Sequence, residues 1–327
     1  MLEKKKLAHL PTPISHHPEL DRLVGCEVWL KRDDMSAGVA AGNKIRKLEY
    51  LLHDALSRNA RCLVTCGGVQ SNHARATAIV ASEHGLATEL FLRTHDPAAA
   101  HAPTGNLLLD RLVGARVHFI SHEDYARRDE LMAAHAEELT RRGTRAYVVP
   151  EGGSNGLGAL GYVDAMGEVR AQLAAGLGGG APFDAVAHAC GSGGTAAGVA
   201  LGSALHGVAR EALAFAVCND SSYFAGVVAR VIDEARSLVP SLPKDASPMI
   251  YDRWKGPAYG VPSESQLRFI VEVARRTGLL FDPVYTGKAL YGLSQLTPKP
   301  RRVLFIHTGG LPGLLADATP FLPFLEA

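Results

Sequence analysis

The chain has 327 residues, a length that predicts two domains, or one large α/β domain with an insertion, around a sizeable core. Lysine and arginine (34) nearly balance aspartate and glutamate (33), and this net charge of +1 argues against a nucleic-acid partner. The five cysteines show no CxxC spacing and are predicted to be reduced thiols. We also find no secretion signal and no membrane-spanning run, so we expect a cytoplasmic protein.

Short β-rich runs alternate with helical patterns along most of the chain, which predicts an α/β protein with helices covering a parallel sheet. Predicted strands span residues 26–31, 61–65, 88–92, 115–120, 146–149, 183–189, 212–218 and 302–306. Apolar residues at helical spacing predict helices over 43–58, 73–84 and 129–142. Two more helices are predicted between Thr104 and Gly114 and over 196–205.

Lys44 is the first residue with chemical interest. The chain has ten lysines, and none lies between Lys47 and Lys244. Small residues at 38 and 40–42 allow the backbone to approach closely just before the predicted helix, and a lysine in ordered surroundings can form an imine with a carbonyl cofactor. Lys44 and Lys47 can also be plain solvated residues of a first turn, although lysine there opposes the helix dipole.

The run Cys66-Gly-Gly-Val-Gln-Ser-Asn-His-Ala-Arg75 leads from a predicted strand into a helix. Ser71 or Asn72 can cap this helix, and a helix N-terminus lined with hydroxyl and amide groups can receive a carboxylate. Simple capping is an equally good interpretation from the sequence alone. A histidine such as His73 is usually a packed or surface residue.

Two glycine-rich runs have different expected roles. The run Gly191-Ser-Gly-Gly-Thr195 follows a predicted strand and begins a helix, so its N–H groups predict a phosphate site. No Gly-Lys-Ser/Thr follows, which argues against a nucleoside triphosphatase. The run Gly156–Gly161 fits GxGxxG formally, but the preceding loop is too long for a dinucleotide site. We therefore interpret it as the start of a helix.

Three C-terminal segments are predicted to reach the carboxyl edge of the sheet. They contain Tyr259, Tyr285 and the run His307-Thr-Gly-Gly310. A tyrosine there can exchange a proton with a ligand, but each taken alone is as well explained as a packed loop residue. We predict no metal site.

Taken together, seven motifs in order resemble the D-cysteine desulfhydrase and 1-aminocyclopropane-1-carboxylate (ACC) deaminase family. They are Lys-Arg-Asp-Asp (31–34), Gly-Asn-Lys-Ile-Arg-Lys-Leu-Glu (42–49), Gln-Ser-Asn-His (70–73), Thr-Gly-Asn-Leu-Leu-Leu-Asp-Arg-Leu (104–112), Gly-Ser-Gly-Gly-Thr (191–195), Asp-Pro-Val-Tyr-Thr-Gly-Lys (282–288) and His-Thr-Gly-Gly (307–310). The likeness spans nearly the whole chain.

The resemblance implies pyridoxal 5'-phosphate (PLP) as cofactor and the tryptophan-synthase-β type of fold, PLP fold type II. Two open, twisted, mainly parallel sheets would be flanked by helices. Residues 1–48 and 159–327 would form the larger, PLP-binding domain, and residues 49–158 the smaller domain inserted in it. A homodimer is also implied, with a small amino acid as substrate.

The resemblance also implies the roles of single residues. Lys44 would hold the cofactor as a Schiff base. The cofactor would also be bound by Asn43, Lys47, Asn72, Gly191, Ser192, Gly193, Gly194, Thr195 and Thr308. Of these, Asn72 would contact the 3-oxygen of the cofactor, and Thr308 would contact its pyridine nitrogen. The 191–195 loop would bind the phosphate, and Lys47 would add positive charge there. The substrate would be bound by Ser71, Asn72 and His73, and its reacting carbons would be flanked by Tyr259 and Tyr285. The expected catalytic residues are Lys44, Ser71 and these two tyrosines.

Two positions favour the desulfhydrase branch of the family. Ring-opening deaminases typically carry Tyr-Glu-Gly where this chain has Tyr285-Thr286-Gly287, and His-Leu-Gly-Gly where it has His-Thr-Gly-Gly. The expected reaction is β-elimination from D-cysteine to pyruvate, ammonia and sulfide. ACC deamination, sulfite release from L-cysteate and elimination from another β-substituted amino acid remain alternatives. Residues 36–41 and 254–258 depart from the family pattern and leave the substrate open. A non-catalytic binding protein would not need the lysine.

Overall fold

The computed structural model describes residues 2–325, and within that range the chain forms ten strands in two sheets. The strands are β1 (Ile14–His16), β2 (Glu27–Lys31), β3 (Cys62–Gly68), β4 (Ala87–Arg93), β5 (Arg116–Ile120), β6 (Ala146–Val148), β7 (Phe183–Cys190), β8 (Ala209–Ala216), β9 (Met249–Tyr251) and β10 (Arg302–Ile306). The larger sheet has the order β1-β2-β10-β7-β8-β9 and the smaller β5-β4-β3-β6. Among the pairings of these ten strands, only β1–β2 is antiparallel. The predicted α/β class with two open, mainly parallel sheets is confirmed.

Helices cover both sheets. They are α1 (Pro18–Val24), α2 (Asn43–Ser57), α3 (Asn72–Glu83), α4 (Gly105–Leu112), α5 (His122–Ala126), α6 (Arg128–Arg141), α7 (Gly156–Ala174), α8 (Gly194–His206), α9 (Ser221–Leu238), α10 (Glu264–Thr277), α11 (Thr286–Gln295), α12 (Leu311–Leu314) and α13 (Leu322–Leu325). Short 3-10 turns lie at Asp33–Met35, Glu151–Gly153, Leu177–Gly180 and Thr319–Phe321. No helix within residues 2–325 combines the length and apolar character that a membrane crossing needs.

The eight predicted strands are all present, and the structure adds β1 and β9. Each added strand has three residues and pairs with one neighbour only, at an edge of the larger sheet. Three residues show little of the alternation of apolar and polar residues that identifies longer strands. Strand β6 is equally short, but it is predicted because it lies in the run Ala-Tyr-Val-Val (146–149), which is rich in β-branched and aromatic residues.

In chain order, the strands of the smaller sheet are inserted between strands of the larger sheet. The inserted strands come from residues 62–148, between β2 and β7 of the larger sheet. The predicted boundaries at residues 48 and 159 both fall inside helices, α2 and α7. Helices α2 and α7 pack closely, since a Cβ on Gly161 would come within 2.3 Å of the Arg46 carbonyl oxygen. The domain boundaries stay a prediction.

The GxGxxG run at 156–161 begins helix α7, as predicted. Asn155 caps this helix by accepting a hydrogen bond from Gly158 N at 2.8 Å. A Cβ on Gly156 would come within 2.4 Å of Ala235 N in α9. A Cβ on Gly161 would likewise be too close to the backbone of α2. These glycines therefore serve close helix packing.

Candidate active site

A buried network of charged side chains holds helix α2, which carries Lys44 and Lys47, in place. The Arg46 guanidinium donates to the Asp33 carboxylate at 2.7 and 2.9 Å and to Glu168 at 3.0 Å. Lys31 donates to the same Glu168 at 2.5 Å. Burial opposes ionisation of Asp33, but Arg46 and Lys31 outweigh it and lower the pKa of Asp33. The Lys31-Arg-Asp-Asp motif thus holds α2 in place.

Lys44 lies in the first turn of α2 and is half-buried. Among the described residues, its Nζ atom has no hydrogen-bond or ion-pair partner. Burial lowers the pKa of Lys44 to about 8, although the Glu151 carboxylate acts in the opposite direction. The uncharged amine, which a nucleophile or base requires, is therefore far more populated near neutral pH than in an ordinary lysine.

The loop before Lys44 contacts the end of β10. Gly42 has φ +128°, and a Cβ there would come within 2.8 Å of the Thr308 carbonyl oxygen. Asn43 N donates to that same oxygen at 3.3 Å. The structure therefore brings Thr308 beside Gly42 and Asn43, directly before Lys44 in the chain. The Thr308 hydroxyl forms no hydrogen bond within the described chain, so it is free to bond a ligand.

The 191–195 loop connects β7 to the N-terminus of α8. Gly193 has φ +83°, a conformation that favours glycine, and α8 begins at Gly194. Asn43 Nδ2 donates to Thr195 Oγ1 at 3.1 Å, so the N-termini of α2 and α8 lie side by side. Two helix N-termini at one place favour an anion.

Ser154 joins this loop to Lys47 and was not identified from the sequence. Its Oγ accepts from Lys47 Nζ at 3.2 Å and from Gly194 N at 3.1 Å, and lies 2.9 Å from Ser192 Oγ. The only signal was a Gly-Gly-Ser run after a predicted strand, which is common in loops. The contacts place Lys47 next to the 191–195 loop.

Lys47 is a buried amine without an anionic partner. Besides Ser154, its Nζ donates only to the Gly152 carbonyl, at 3.0 Å, within the described residues. Burial, with the charge of Lys44 second, lowers the pKa of Lys47 well below its usual value. A bound anion would reverse this penalty.

Ser71, Asn72 and His73 begin helix α3 at the end of β3. Ser71 Oγ accepts from Ala74 N at 3.2 Å, so the capping interpretation is confirmed. Asn72 Oδ1 accepts from Asn106 Nδ2 at 3.1 Å. The first turn of α3 lies beside the loop before Lys44, because Arg75 donates to the Ala41 carbonyl at 3.2 Å. The roles of Ser71 and Asn72 toward ligands stay predictions.

His73 is buried, and its ring faces Thr65. Thr65 Oγ1 donates to the Val149 carbonyl at 2.8 Å, so His73 Nε2, 2.9 Å away, must donate to Thr65. Burial, followed by the charges of Lys44 and Lys47, lowers the pKa of His73 well below its usual value. The residue is thus a neutral imidazole whose predicted contact with substrate stays a prediction.

Tyr259 and Tyr285 meet through their hydroxyl groups, with the two oxygens 2.5 Å apart. Tyr259 lies over the end of β3, since a Cβ on Gly68 would come within 3.2 Å of its ring. Tyr285 lies over the 191–195 loop, where a Cβ on Gly191 would come within 3.0 Å of its ring. The pair therefore bridges the carboxyl edges of the two sheets.

Both tyrosines keep their protons near neutral pH. Burial raises the pKa of Tyr259 to about 12 and that of Tyr285 well above its usual value. One hydroxyl can donate to the other, which leaves one proton available to a ligand. Tyr285 is held by its backbone N–H, which donates to Asp282 at 2.7 Å.

Arg93 is a second residue that the sequence did not indicate. It ends β4 directly opposite Gly68 of β3, and its guanidinium lies 5.1 Å from the centroid of the Tyr259 ring. It also lies 4.6 Å from the Tyr125 ring. Within residues 2–325 this half-buried cation has no ion-pair or hydrogen-bond partner. It offers charge recognition beside the tyrosines.

These residues fit the cofactor that the resemblance implied. An amine with a lowered pKa stands ready for an aldehyde at Lys44, and Thr308 has a free hydroxyl. The α8 N-terminus fits a phosphate, and so does the Lys47 amine, whose charged form a bound anion would stabilise. Lys44, Lys47, Thr308 and the 191–195 loop would hold PLP, which supplies an electron sink for bonds broken at the substrate α-carbon.

Comparison with known proteins agrees with this fit. The family model described as pyridoxal-phosphate dependent enzyme matches residues 5–309. The chain is 44% identical to the Arabidopsis thaliana bifunctional D-cysteine desulfhydrase/ACC deaminase, mitochondrial, over 94% of this chain and 78% of that relative. It is 41% identical to a putative ACC deaminase of Thermotoga maritima, over 94% of this chain and 96% of that protein.

Solved structures give the same result. The crystal structure of an ACC deaminase homologue superposes with a TM-score of 0.90 at 36% identity, over 99% of this chain and 97% of that one. Maize serine racemase shares the fold at 16% identity, with a TM-score of 0.64 over 96% of this chain and 91% of that chain. The chain is thus a pyridoxal-phosphate-dependent enzyme of fold type II that belongs to the ACC deaminase and D-cysteine desulfhydrase family.

Proposed function

We propose that the enzyme eliminates the β-substituent of a small amino acid, with D-cysteine as the substrate and pyruvate, ammonia and sulfide as products. The observation that carries the proposal is the hydroxyl pair of Tyr259 and Tyr285. Tyr285 lies over the 191–195 loop, and Asn43, the neighbour of Lys44 in the chain, bonds to Thr195 of that loop. A base and a proton donor on separate elements are what α,β-elimination needs.

Each group has a distinct task in this proposal. Lys44, once released from the cofactor, takes the α-proton, and its lowered pKa makes the free amine available for that step. The tyrosine pair delivers a proton toward the leaving sulfur, since both hydroxyls remain protonated near neutral pH. Ser71, at the α3 N-terminus, receives the substrate carboxylate.

Thr286 and Thr308 support elimination over ring opening. Thr286 is buried, and its hydroxyl donates to Asp282 at 2.6 Å, so it adds no free acid beside Tyr285. Thr308 can offer the pyridine nitrogen only a neutral hydroxyl, which tempers the electron sink. The names of the relatives include both activities, so a direct comparison of substrates is needed.

The deciding experiment measures 2-oxo-acid release by the purified holoenzyme from D-cysteine, L-cysteine, L-cysteate, D-serine and ACC. Sulfide and sulfite are measured in parallel. We expect D-cysteine to give the highest kcat/KM, with one sulfide per pyruvate. A higher kcat/KM for ACC, with 2-oxobutanoate as product, would replace this proposal with ring-opening deamination.

Arg93 favours L-cysteate as a second candidate, because a sulfonate would match an unpaired guanidinium near the tyrosines. Under this alternative, Arg93→Gln raises the KM for L-cysteate at least tenfold and leaves the KM for D-cysteine unchanged. Arg61→Gln, at an exposed residue before β3, is the matched control. Equal effects of Arg93→Gln on both substrates would remove L-cysteate as a candidate.

A cytoplasmic homodimer stays part of the proposal. It derives from the family resemblance and from the amino-acid sequence. Sedimentation analysis of the holoenzyme tests the oligomeric state, and a monomer at micromolar concentration would contradict it.

A further inference from the structure

Glu89, His118 and His135 form a cluster on the smaller sheet, apart from the candidate active site. Glu89 lies in β4, His118 in β5 and His135 in α6, which covers this face of the sheet. The Glu89 side chain is buried at 4% exposure, and both histidines are half-buried. One ligand atom from each of the three residues lies within 4.8 Å of the others.

The distances in this cluster suit a metal ion. Glu89 Oε2 lies 2.5 Å from His118 Nε2 and 3.3 Å from His135 Nε2. Zinc binds such nitrogen and oxygen atoms at about 2.0–2.2 Å in a tetrahedron, which places neighbouring ligand atoms about 3.3 Å apart. The Glu89–His135 pair already has this separation, and the Glu89–His118 pair needs to open by less than about 1 Å. The ligand atoms of the two histidines lie within 4.8 Å of each other.

His135 Nε2 is buried and forms no hydrogen bond within the described chain. This nitrogen is close enough to Glu89 Oε2 for an ion pair, but the geometry of the contact is not that of a hydrogen bond. A buried ring nitrogen without a partner costs free energy, and a metal ion would remove that cost. His135 Nε2 lies 3.3 Å from the carboxylate oxygen that the metal would share.

The surroundings hold the three ligands in place. Phe91 stacks on His118 with ring centroids 4.8 Å apart, and meets His135 edge-on at 5.3 Å. Arg116 donates to the other oxygen of Glu89, Oε1, at 2.8 Å. Such outer partners orient metal ligands. The Arg116 side chain is 70% exposed, so solvent screens its repulsion of a cation.

We propose that Glu89, His118 and His135 bind one divalent transition-metal ion, with zinc the best match and water completing a tetrahedron. Two imidazoles and one carboxylate are a ligand set that zinc accepts, whereas magnesium and calcium prefer oxygen ligands alone. The site is independent of the proposed reaction, because its residues are not those assigned to cofactor or substrate.

The test uses tag-free holoenzyme dialysed against EDTA and then against metal-free buffer. Zinc chloride is titrated by calorimetry, and bound zinc is counted by elemental analysis. The double variant His118→Gln/His135→Gln should lose one equivalent of zinc, with affinity falling at least 100-fold. Magnesium should not bind to the wild-type protein at comparable concentration.

The matched control is His95→Gln/His122→Gln. These two histidines also stack in the smaller domain, with ring centroids 4.6 Å apart, but they do not belong to the cluster with Glu89. This variant should bind zinc as the wild type does. A third variant, Glu89→Gln, removes the shared carboxylate and should weaken zinc binding while both histidines remain. Unchanged cofactor absorbance and circular dichroism verify folding in each case.

Three results would overturn the proposal. One is wild-type protein that binds less than about half an equivalent of zinc at tens of micromolar free metal. A second is zinc binding that survives the His118→Gln/His135→Gln change. A third is equal loss in the His95→Gln/His122→Gln control, which would indicate general surface binding by histidine.

Discussion

The hydroxyl oxygens of Tyr259 and Tyr285 lie 2.5 Å apart, and the two rings stand edge to face with centroids 6.0 Å apart. Tyr259 rests on the end of β3 in the smaller sheet and Tyr285 on the loop after β7 in the larger one. Both tyrosines come from the chain after β9 of the larger sheet, but their hydroxyl pair lies where the carboxyl edges of the two sheets meet. The proton donor of the proposed elimination therefore depends on the docking of the two sheets.

Removing either hydroxyl should slow the reaction. We expect Tyr285→Phe and Tyr259→Phe each to lower kcat by about 10²–10⁴, the usual contribution of a positioned proton donor. Cofactor absorbance should remain. Tyr291→Phe is the control, since Tyr291 lies on the same helix as Thr286 and packs on Phe269 instead. Pyruvate release is the measurement, and wild-type kcat in both variants would exclude the tyrosines from proton transfer.

The lowered pKa of Lys44 should appear in the stability of the apoprotein. In the unfolded chain lysine titrates near 10.5, and in the fold burial lowers the pKa of Lys44 to about 8. The charged amine therefore destabilises the fold fully below pH 8, and this penalty fades as the pH rises from 8 toward 10.5. Lys44→Met should raise the free energy of unfolding at pH 7, with a smaller gain at pH 9.5.

Urea denaturation of the two apoproteins at pH 7, 8.5 and 9.5 measures this difference. Lys244→Met, at an exposed position, should show no such trend. A gain for Lys44→Met that is constant across the three pH values would contradict the depressed pKa.

Ser154 should contribute to cofactor affinity. Its hydroxyl connects Lys47 to Gly194 N and Ser192, so Ser154→Ala removes two polar contacts of the 191–195 loop and one of Lys47. We expect the Kd for PLP to rise about tenfold, equivalent to about 1.4 kcal/mol, as for one or two hydrogen bonds. Absorbance titration of the apoprotein measures it, with Ser294→Ala as the control. An unchanged Kd would show that the loop binds without Ser154.

Gly42 should tolerate no side chain. Its φ is +128°, and a Cβ added there would lie only 2.8 Å from the Thr308 carbonyl oxygen. Gly42→Ala should therefore destabilise the protein by about 1–3 kcal/mol. Gly226→Ala should have the opposite effect and stabilise the protein by up to about 1 kcal/mol. Gly226 lies in helix α9 with open space around it, so a methyl group fits there. Chemical denaturation measures both, and equal effects would contradict the steric argument.

The sequence predicted the parts of the site that lie in short local motifs. The 191–195 loop and the cap at Ser71 each follow from a few neighbouring residues, whereas the role of Lys44 follows from the order of the motifs along the chain. Ser154 and Arg46 act through partners far along the chain: Lys47 bonds to Ser154 across 107 positions and Arg46 to Glu168 across 122. Such contacts exist only after α2 docks on α7. The cluster at Glu89 was missed for the same reason, since β4, β5 and α6 bring it together.

The central claim is that Lys44 forms the covalent link to PLP. Borohydride reduction of the holoenzyme, followed by proteolysis and peptide mass spectrometry, tests it most directly. We expect a visible absorbance band that borohydride bleaches, a pyridoxyl label on Lys44, and neither band nor label in Lys44→Ala. A label on Lys47 or another lysine, or a colourless protein that ignores added PLP, would contradict it.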